Sequence, residues 1–307
     1  MNCTMILWGV ITSATFTLLY FPLEVYSAST AASPCPDPED ISPCTCSIFS
    51  ETEEHMDCSN VEDETELARV FQSMIPFPYF NSLTIRDNPN IKTLPSHVFG
   101  VVTFEMVRIW NTSLEVVEEE AFSDMAVTLR VLELGNNTIN SFPFHTLNSY
   151  GVLEKINLWD NYIGPDVPII SSVSLKDLVL SNNPFTVLPD DPFANIPNIE
   201  HISLNHLQLG QLPTGMFNSL TELRTVQFVD TGLQAIESGR FNMVSPHLQQ
   251  IHLADNGIAD CQDNAFIIPT GLPFMDVIME NNALTVFEEA VWRPLLEANS
   301  TLLLAGS

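Results

Sequence analysis

From residue 80 onward one pattern keeps returning. It reads apolar, any residue, apolar, two of anything, then Asn or a substitute. The pattern stands at Leu83/Ile85/Asn88, Val107/Ile109/Thr112, Leu132/Leu134/Asn137, Ile156/Leu158/Asn161 and Leu178/Leu180/Asn183. It continues at Ile202/Leu204/Leu207, Val226/Phe228/Thr231, Ile251/Leu253/Asn256 and Val277/Met279/Asn282, and begins again at Leu302/Leu304. The nine steps from Ile85 to Leu304 span 219 residues, a mean period of about 24. Other positions keep the same register. Two places after the Asn position comes an apolar residue (Leu114, Ile139, Leu233, Ile258), three later another (Val117, Leu188, Phe287), and five beyond that a large one (Phe122, Phe217, Trp292).

That period and pattern belong to leucine-rich repeats. The alternation of apolar residues is a short strand whose two anchors point inward. Successive strands stack in parallel, and one repeat cannot bury its apolar face without its neighbours. The Asn carries both donors and acceptors, so it can satisfy backbone groups where the chain turns out of the strand. The expected fold is an α/β repeat solenoid with a curved parallel sheet on its concave face. About nine repeats and a partial tenth fill residues 80–307.

Ends of such a stack need covering. Cys35, Cys44, Cys46 and Cys58 lie just before the first repeat, where a disulfide-stapled N-terminal cap belongs; residues 28–79 are read as linker and cap. Four cysteines allow three connectivities, and the sequence does not choose among them. At the other end the chain stops inside the tenth repeat, which predicts a missing C-terminal cap. Cys261 stands where other repeats place Leu188, Leu212 or Ile236, and is expected to be a buried, inert thiol.

Ahead of the cap, Met5 to Phe21 form an apolar run with no charged residue. The run predicts a secretory signal peptide, residues 1–27, cleaved after Ser27. A retained signal anchor is the competing reading, and the sole route to a membrane. The clustered cysteines suit the same oxidising compartment.

The array and its flank resemble secreted leucine-rich repeat proteins. More narrowly, CPDPEDISPCTC at 35–46, LPSHVF at 94–99, LELGNNTI at 132–139 and LLLAGS at 302–307 resemble the arthropod family of the Oplophorus-luciferin 2-monooxygenase non-catalytic subunit. That resemblance implies a non-catalytic subunit associated with a smaller catalytic luciferase polypeptide. It does not carry luminescence over to this chain.

Charge narrows the partners. Lys and Arg number 10 against 38 Asp and Glu, a net charge of −28. Nucleic acid and anionic membranes need a basic footprint, which this chain lacks. Eleven acids between Asp37 and Glu66 meet no Lys or Arg, so much of the excess belongs to the cap.

Binding on such an arc uses the outward strand positions. Repeats 1–4 offer Arg86, Arg108, Lys155, Trp110 and Trp159; repeats 5–9 offer His201, His206, His252, Asp230, Asp255 and Glu280. Trp110 and Trp159 hold the same repeat position, and exposed Trp is enriched among interface hot spots. The histidines could ligate a metal or sense pH, but scattered surface histidines are the commoner case, so no metal is expected. Asp and Asn after each strand are turn residues before they are calcium ligands. Sequons at Asn111, Asn136 and Asn299 predict glycosylation, and a glycan at Asn111 would crowd Trp110. No hydrolase, metalloprotease or nucleotide motif occurs, and no cofactor is expected. The reading is a secreted protein-binding or scaffolding subunit. The alternatives are a matrix or cell-surface recognition module without an enzyme partner, and an intrinsic oxygenase or hydrolase.

Overall fold

The computed structural model describes residues 35–50, 53–73, 75 and 78–306, all within the unit Pro34–Ser307. The expected signal peptide lies outside the described residues. Twelve strands form one sheet in chain order. They are β1 (Thr45–Ser50), β2 (Glu53–Asp57), β3 (Tyr79–Arg86), β4 (Thr103–Trp110), β5 (Val131–Glu133) and β6 (Lys155–Asn157), followed by β7 (Asp177–Val179), β8 (His201–Ser203), β9 (Thr225–Gln227), β10 (Gln250–His252), β11 (Met275–Ile278) and β12 (Ser300–Leu303). β1 and β2 run antiparallel; every later neighbour pair is parallel. Register follows the repeat: Leu132 faces Ile156, which faces Leu178.

The periodic anchors build the core. Leu83, Ile85, Val107, Ile109, Ile156, Leu158, Ile251 and Leu253 are fully buried. The large residue late in each repeat forms a second buried row. Phe193, Phe217, Phe241 and Phe266 stack one on the next, with ring centroids 6.5, 5.6 and 5.4 Å apart. Each such side chain contributes roughly 1.5–3 kcal/mol through burial. Phe287, expected inward, is 54% exposed. Here the chain runs into the helix Glu289–Glu297 instead of a short strand such as Val116–Val117, while Trp292 of that helix is buried as the large late residue.

The ladder residue supplies the hydrogen bonds. Asn161 Nδ2 donates to Leu134 O and Leu158 O at 3.0 and 3.1 Å, while its Oδ1 accepts from Ile139 N at 2.9 Å. Asn137, Asn183, Asn256 and Asn282 repeat this with their own neighbours. Both carbonyls would otherwise be buried without partners, which is why an amide recurs. The residue just before the ladder is left-handed in every repeat: Asp87, Asn111, Asn136, Asp160, Asn182, His206, Asp230, Asp255 and Asn281 have φ between 53 and 57°. Asn and Asp tolerate that conformation best after Gly, which accounts for the acidic and amide column without a metal.

At the N-terminal end, Cys35 pairs with Cys46 and Cys44 with Cys58. β2 extends the parallel sheet, with Met56 facing Leu83. The helix Glu64–Gln72 is capped by Asp63, whose side chain accepts from Thr65 N and Glu66 N. It buries Leu67, Val70 and Phe71, and Phe71 meets Phe99 and Phe104 edge-on. Among the described residues no helix is long and apolar enough to cross a membrane.

Candidate functional site

The anchors point inward, so the alternate residues of β3 to β12 form the outward face of the sheet. In the second to fourth repeats two rows lie side by side on this face. One is Arg108 and Glu133, which Lys155 joins diagonally from two positions earlier on β6. The other is Trp110, Gly135 and Trp159, each the residue after the second anchor.

The charged row is a shared ion pair. Glu133 receives Arg108 Nε at 3.0 Å and Lys155 Nζ at 2.9 Å. Burial opposes ionisation of Glu133, but the hydrogen bonds from Lys155 and Arg108 outweigh it and hold the carboxyl below its ordinary range. In the aromatic row, Trp159 lies over Gly135: a Cβ there would collide with Nε1 and Cδ1 of the indole. Trp159 is 43% exposed and Trp110 half-buried. Absence of a side chain at residue 135 therefore makes the notch in which Trp159 rests.

Farther along, the face changes character. Asn205 Nδ2 donates to Ser203 Oγ and Gln227 Oε1 at 3.1 and 3.0 Å, so its polar groups are held within the face. His201 Nδ1 meets Thr225 Oγ1 at 2.7 Å, and His206 Nδ1 meets Asp230 Oδ2 at 3.2 Å. Burial pushes the His252 imidazole down, against the pull of Asp255 and Glu280. The three histidines thus have separate surroundings. Among the described residues no group of three or more His, Cys, Asp or Glu could hold a metal. Arg86 reaches only its neighbour Asp87, at 3.9 Å.

One feature of the face escaped the sequence reading. At one repeat position, within β4 for Glu105 and just before the strand for the rest, Glu105, Arg130, Glu154, Lys176, Glu200 and Arg224 alternate in sign. Arg130 bridges Glu105 and Glu154 at 3.6 and 2.8 Å, Lys176 also meets Glu154 at 3.2 Å, and Arg224 meets Glu200 at 2.7 Å. Alternation of charge in repeat register was the available signal. These pairs bind acids to three of the chain's ten Lys and Arg, namely Arg130, Lys176 and Arg224.

The sequons stand at left-handed positions, φ 53, 53 and 58°. Asn111 and Asn299 are exposed, while Asn136, expected to be exposed, is half-buried because its amide leans on Asn111 Oδ1. Cys261 faces Ile236 in register but is half-buried rather than buried. Burial still pushes its thiol up to about 12.

Comparison with known proteins agrees with this geometry. Residues 173–233 match the Leucine rich repeat family, and residues 76–183 match the BspA type Leucine rich repeat region. The Oplophorus-luciferin 2-monooxygenase non-catalytic subunit of Oplophorus gracilirostris is 32% identical over 280 residues, which cover 90% of this chain and 77% of that one. The chain belongs to the leucine-rich repeat family of that non-catalytic subunit. Keratocan of Bos taurus is 25% identical over 57% of this chain and 49% of its own length. Among solved structures, a TLR13–ssRNA13 complex superposes with a TM-score of 0.55 at 18% identity, over 79% of this chain and 30% of that chain. An octameric complex of Latrophilin 3, Unc5D and the leucine-rich repeats of FLRT2 gives 0.54 at 16%, over 78% and 79%. These two likenesses concern the fold alone.

Proposed function

We propose that the chain is a secreted, non-catalytic binding subunit, led into the secretory pathway by residues 1–27. It presents the outward face of its sheet to a protein partner, and the Trp110–Gly135–Trp159 row is the anchor. One observation carries this reading: a large indole held half in solvent over a glycine notch on the outward face of the sheet. Keeping apolar area in water costs free energy that a partner recovers. The fixed Arg108–Glu133–Lys155 row beside it offers a charged rim whose geometry is set before binding.

The relative's name supports a smaller catalytic polypeptide of luciferase type as the partner. Nucleic acid is disfavoured here, whatever the RNA-bound neighbour does: the net charge is −28, and Arg108, Arg130, Lys155, Lys176 and Arg224 are each bound to acids. The test is capture by the full secreted chain of its partner, compared between wild type and Trp159→Ala. Equal affinity in a folded variant removes the anchor from the account.

A further inference from the structure

Asn111 and Asn136 each begin a sequon, NTS and NNT, and they are direct neighbours across the stack. Asn111 N donates to Asn136 O at 2.7 Å, and Asn136 Nδ2 donates to Asn111 Oδ1 at 3.4 Å. Neighbouring strands lie only about 4.8 Å apart. Two branched glycans rooted that close would crowd each other in the folded protein.

The two positions are not equivalent. Asn111 is exposed, and its Nδ2 donates to Asp87 Oδ1 at 2.5 Å. Asn136 is half-buried, and its Nδ2 is aimed at the side chain of Asn111. In N-glycosylation the amide Nδ2 bonds to C1 of an oligosaccharide carried on a lipid pyrophosphate. The C1–O bond to the pyrophosphate breaks, and one amide proton is lost. One N–H remains, so the bond from Asn111 to Asp87 survives modification.

Beside the pair runs an open cleft of about 550 Å³, lined among others by Asn136, Asp160, Asn161, Tyr162 and Asn182. Its rim is a row of amide and carboxylate groups, with Asn182 Nδ2 donating to Asp160 Oδ1 at 2.5 Å. Tyr162 is 65% exposed. Amides and carboxylates suit sugar hydroxyls, and a tyrosine ring offers an apolar face with a polar tip.

We infer that the folded protein carries one N-glycan on this pair, at Asn111, and that its first sugars lie in the cleft toward Tyr162. This rests on the secreted reading above. The glycan then runs along the edge formed by Asn136, Asp160 and Asn182 beside the Trp110–Gly135–Trp159 row, so a partner approaches that row from its other edge, over Arg108 and Glu133.

The full chain is expressed through a eukaryotic secretory pathway, and the secreted, folded protein is peptide-mapped by mass spectrometry. The expected result is Asn111 modified and Asn136 unmodified. Asn136→Gln leaves the glycan mass unchanged, and Asn111→Gln removes one glycan from the pair. Both sites modified on one molecule, or Asn136 modified in place of Asn111, overturns the inference. So does an unmodified pair beside a modified Asn299. A secreted chain with no glycan on any of the three overturns the inference alone, whereas a chain retained inside the cell overturns the secreted reading. Tyr162→Ala is expected to speed endoglycosidase release from the native protein; an unchanged rate removes the glycan from the cleft.

Discussion

The indole of Trp159 rests on Gly135, the residue that holds the same position one repeat earlier. Gly135 has no left-handed φ, so its backbone accepts a side chain and only the indole is in the way. In Gly135→Ala the backbone entropy gain of the substitution, about 0.4–1 kcal/mol, offsets part of the displacement cost. Stability in urea should change by less than about 1 kcal/mol. Tryptophan emission should shift to the red as Trp159 is lifted into water. An unchanged spectrum would show that the notch does not hold the ring.

Asn161 serves four backbone groups at once, donating to Leu134 O, Leu158 O and Trp159 O and accepting from Ile139 N. Asn161→Ala leaves buried groups unpaired, at about 1–3 kcal/mol for each, so a loss of about 3 kcal/mol or more is expected in equilibrium unfolding. A loss below about 1 kcal/mol would mean that water or relaxation replaces the amide.

Glu133 gives the face an acid-sensitive element. Its carboxyl is held below its ordinary range when folded. The stability it contributes is therefore present above the unfolded carboxylate pKa and is lost as pH falls through the lower, folded one. Glu133→Gln should flatten that part of the stability–pH curve and leave the remainder parallel to wild type. An identical acid limb in both proteins would assign it to other carboxylates.

Cys261 should be slow to react. A thiol pushed up to about 12 holds almost no thiolate at pH 8, and the thiolate is the nucleophile. Alkylation should be slow in the native protein and fast in denaturant. Equal rates would show that the strand Asp260–Cys261 opens freely.

The cap should matter to the whole array. The Cys44–Cys58 bridge closes a separation of 14 residues, and removing such a bridge costs about 2–4 kcal/mol. Cys44→Ala with Cys58→Ala should lower the unfolding midpoint accordingly. No change would mean that the cap does not fold together with the repeats.

The strands, the ladder and the buried phenylalanine row were legible because each recurs at a fixed spacing through most repeats, and periodic demand leaves a periodic residue. Individual solutions were less legible. Four cysteines in a short segment permit several pairings, and only the geometry of the cap selects Cys35–Cys46 and Cys44–Cys58. The Glu105-to-Arg224 charge row lies outside the apolar pattern and alternates in kind instead of repeating it. The matched tryptophans were visible, but the role of Gly135 was not, because it depends on where an indole from the next repeat falls. Phe287 is exposed where Val117 and Ile236 are buried, because the short strands that hold those two are replaced here by the approach to the helix Glu289–Glu297.

The most direct test concerns the face itself. The full chain is used to isolate its partner from native tissue, and the affinity of the purified pair is then measured for wild type and for the Trp110→Ala, Trp159→Ala double variant. Two hot-spot residues carry at least about 2 kcal/mol each, and even half that total is more than a tenfold loss. The account predicts a loss of at least that size with the repeat fold intact by circular dichroism. An unchanged affinity in the folded double variant would contradict it.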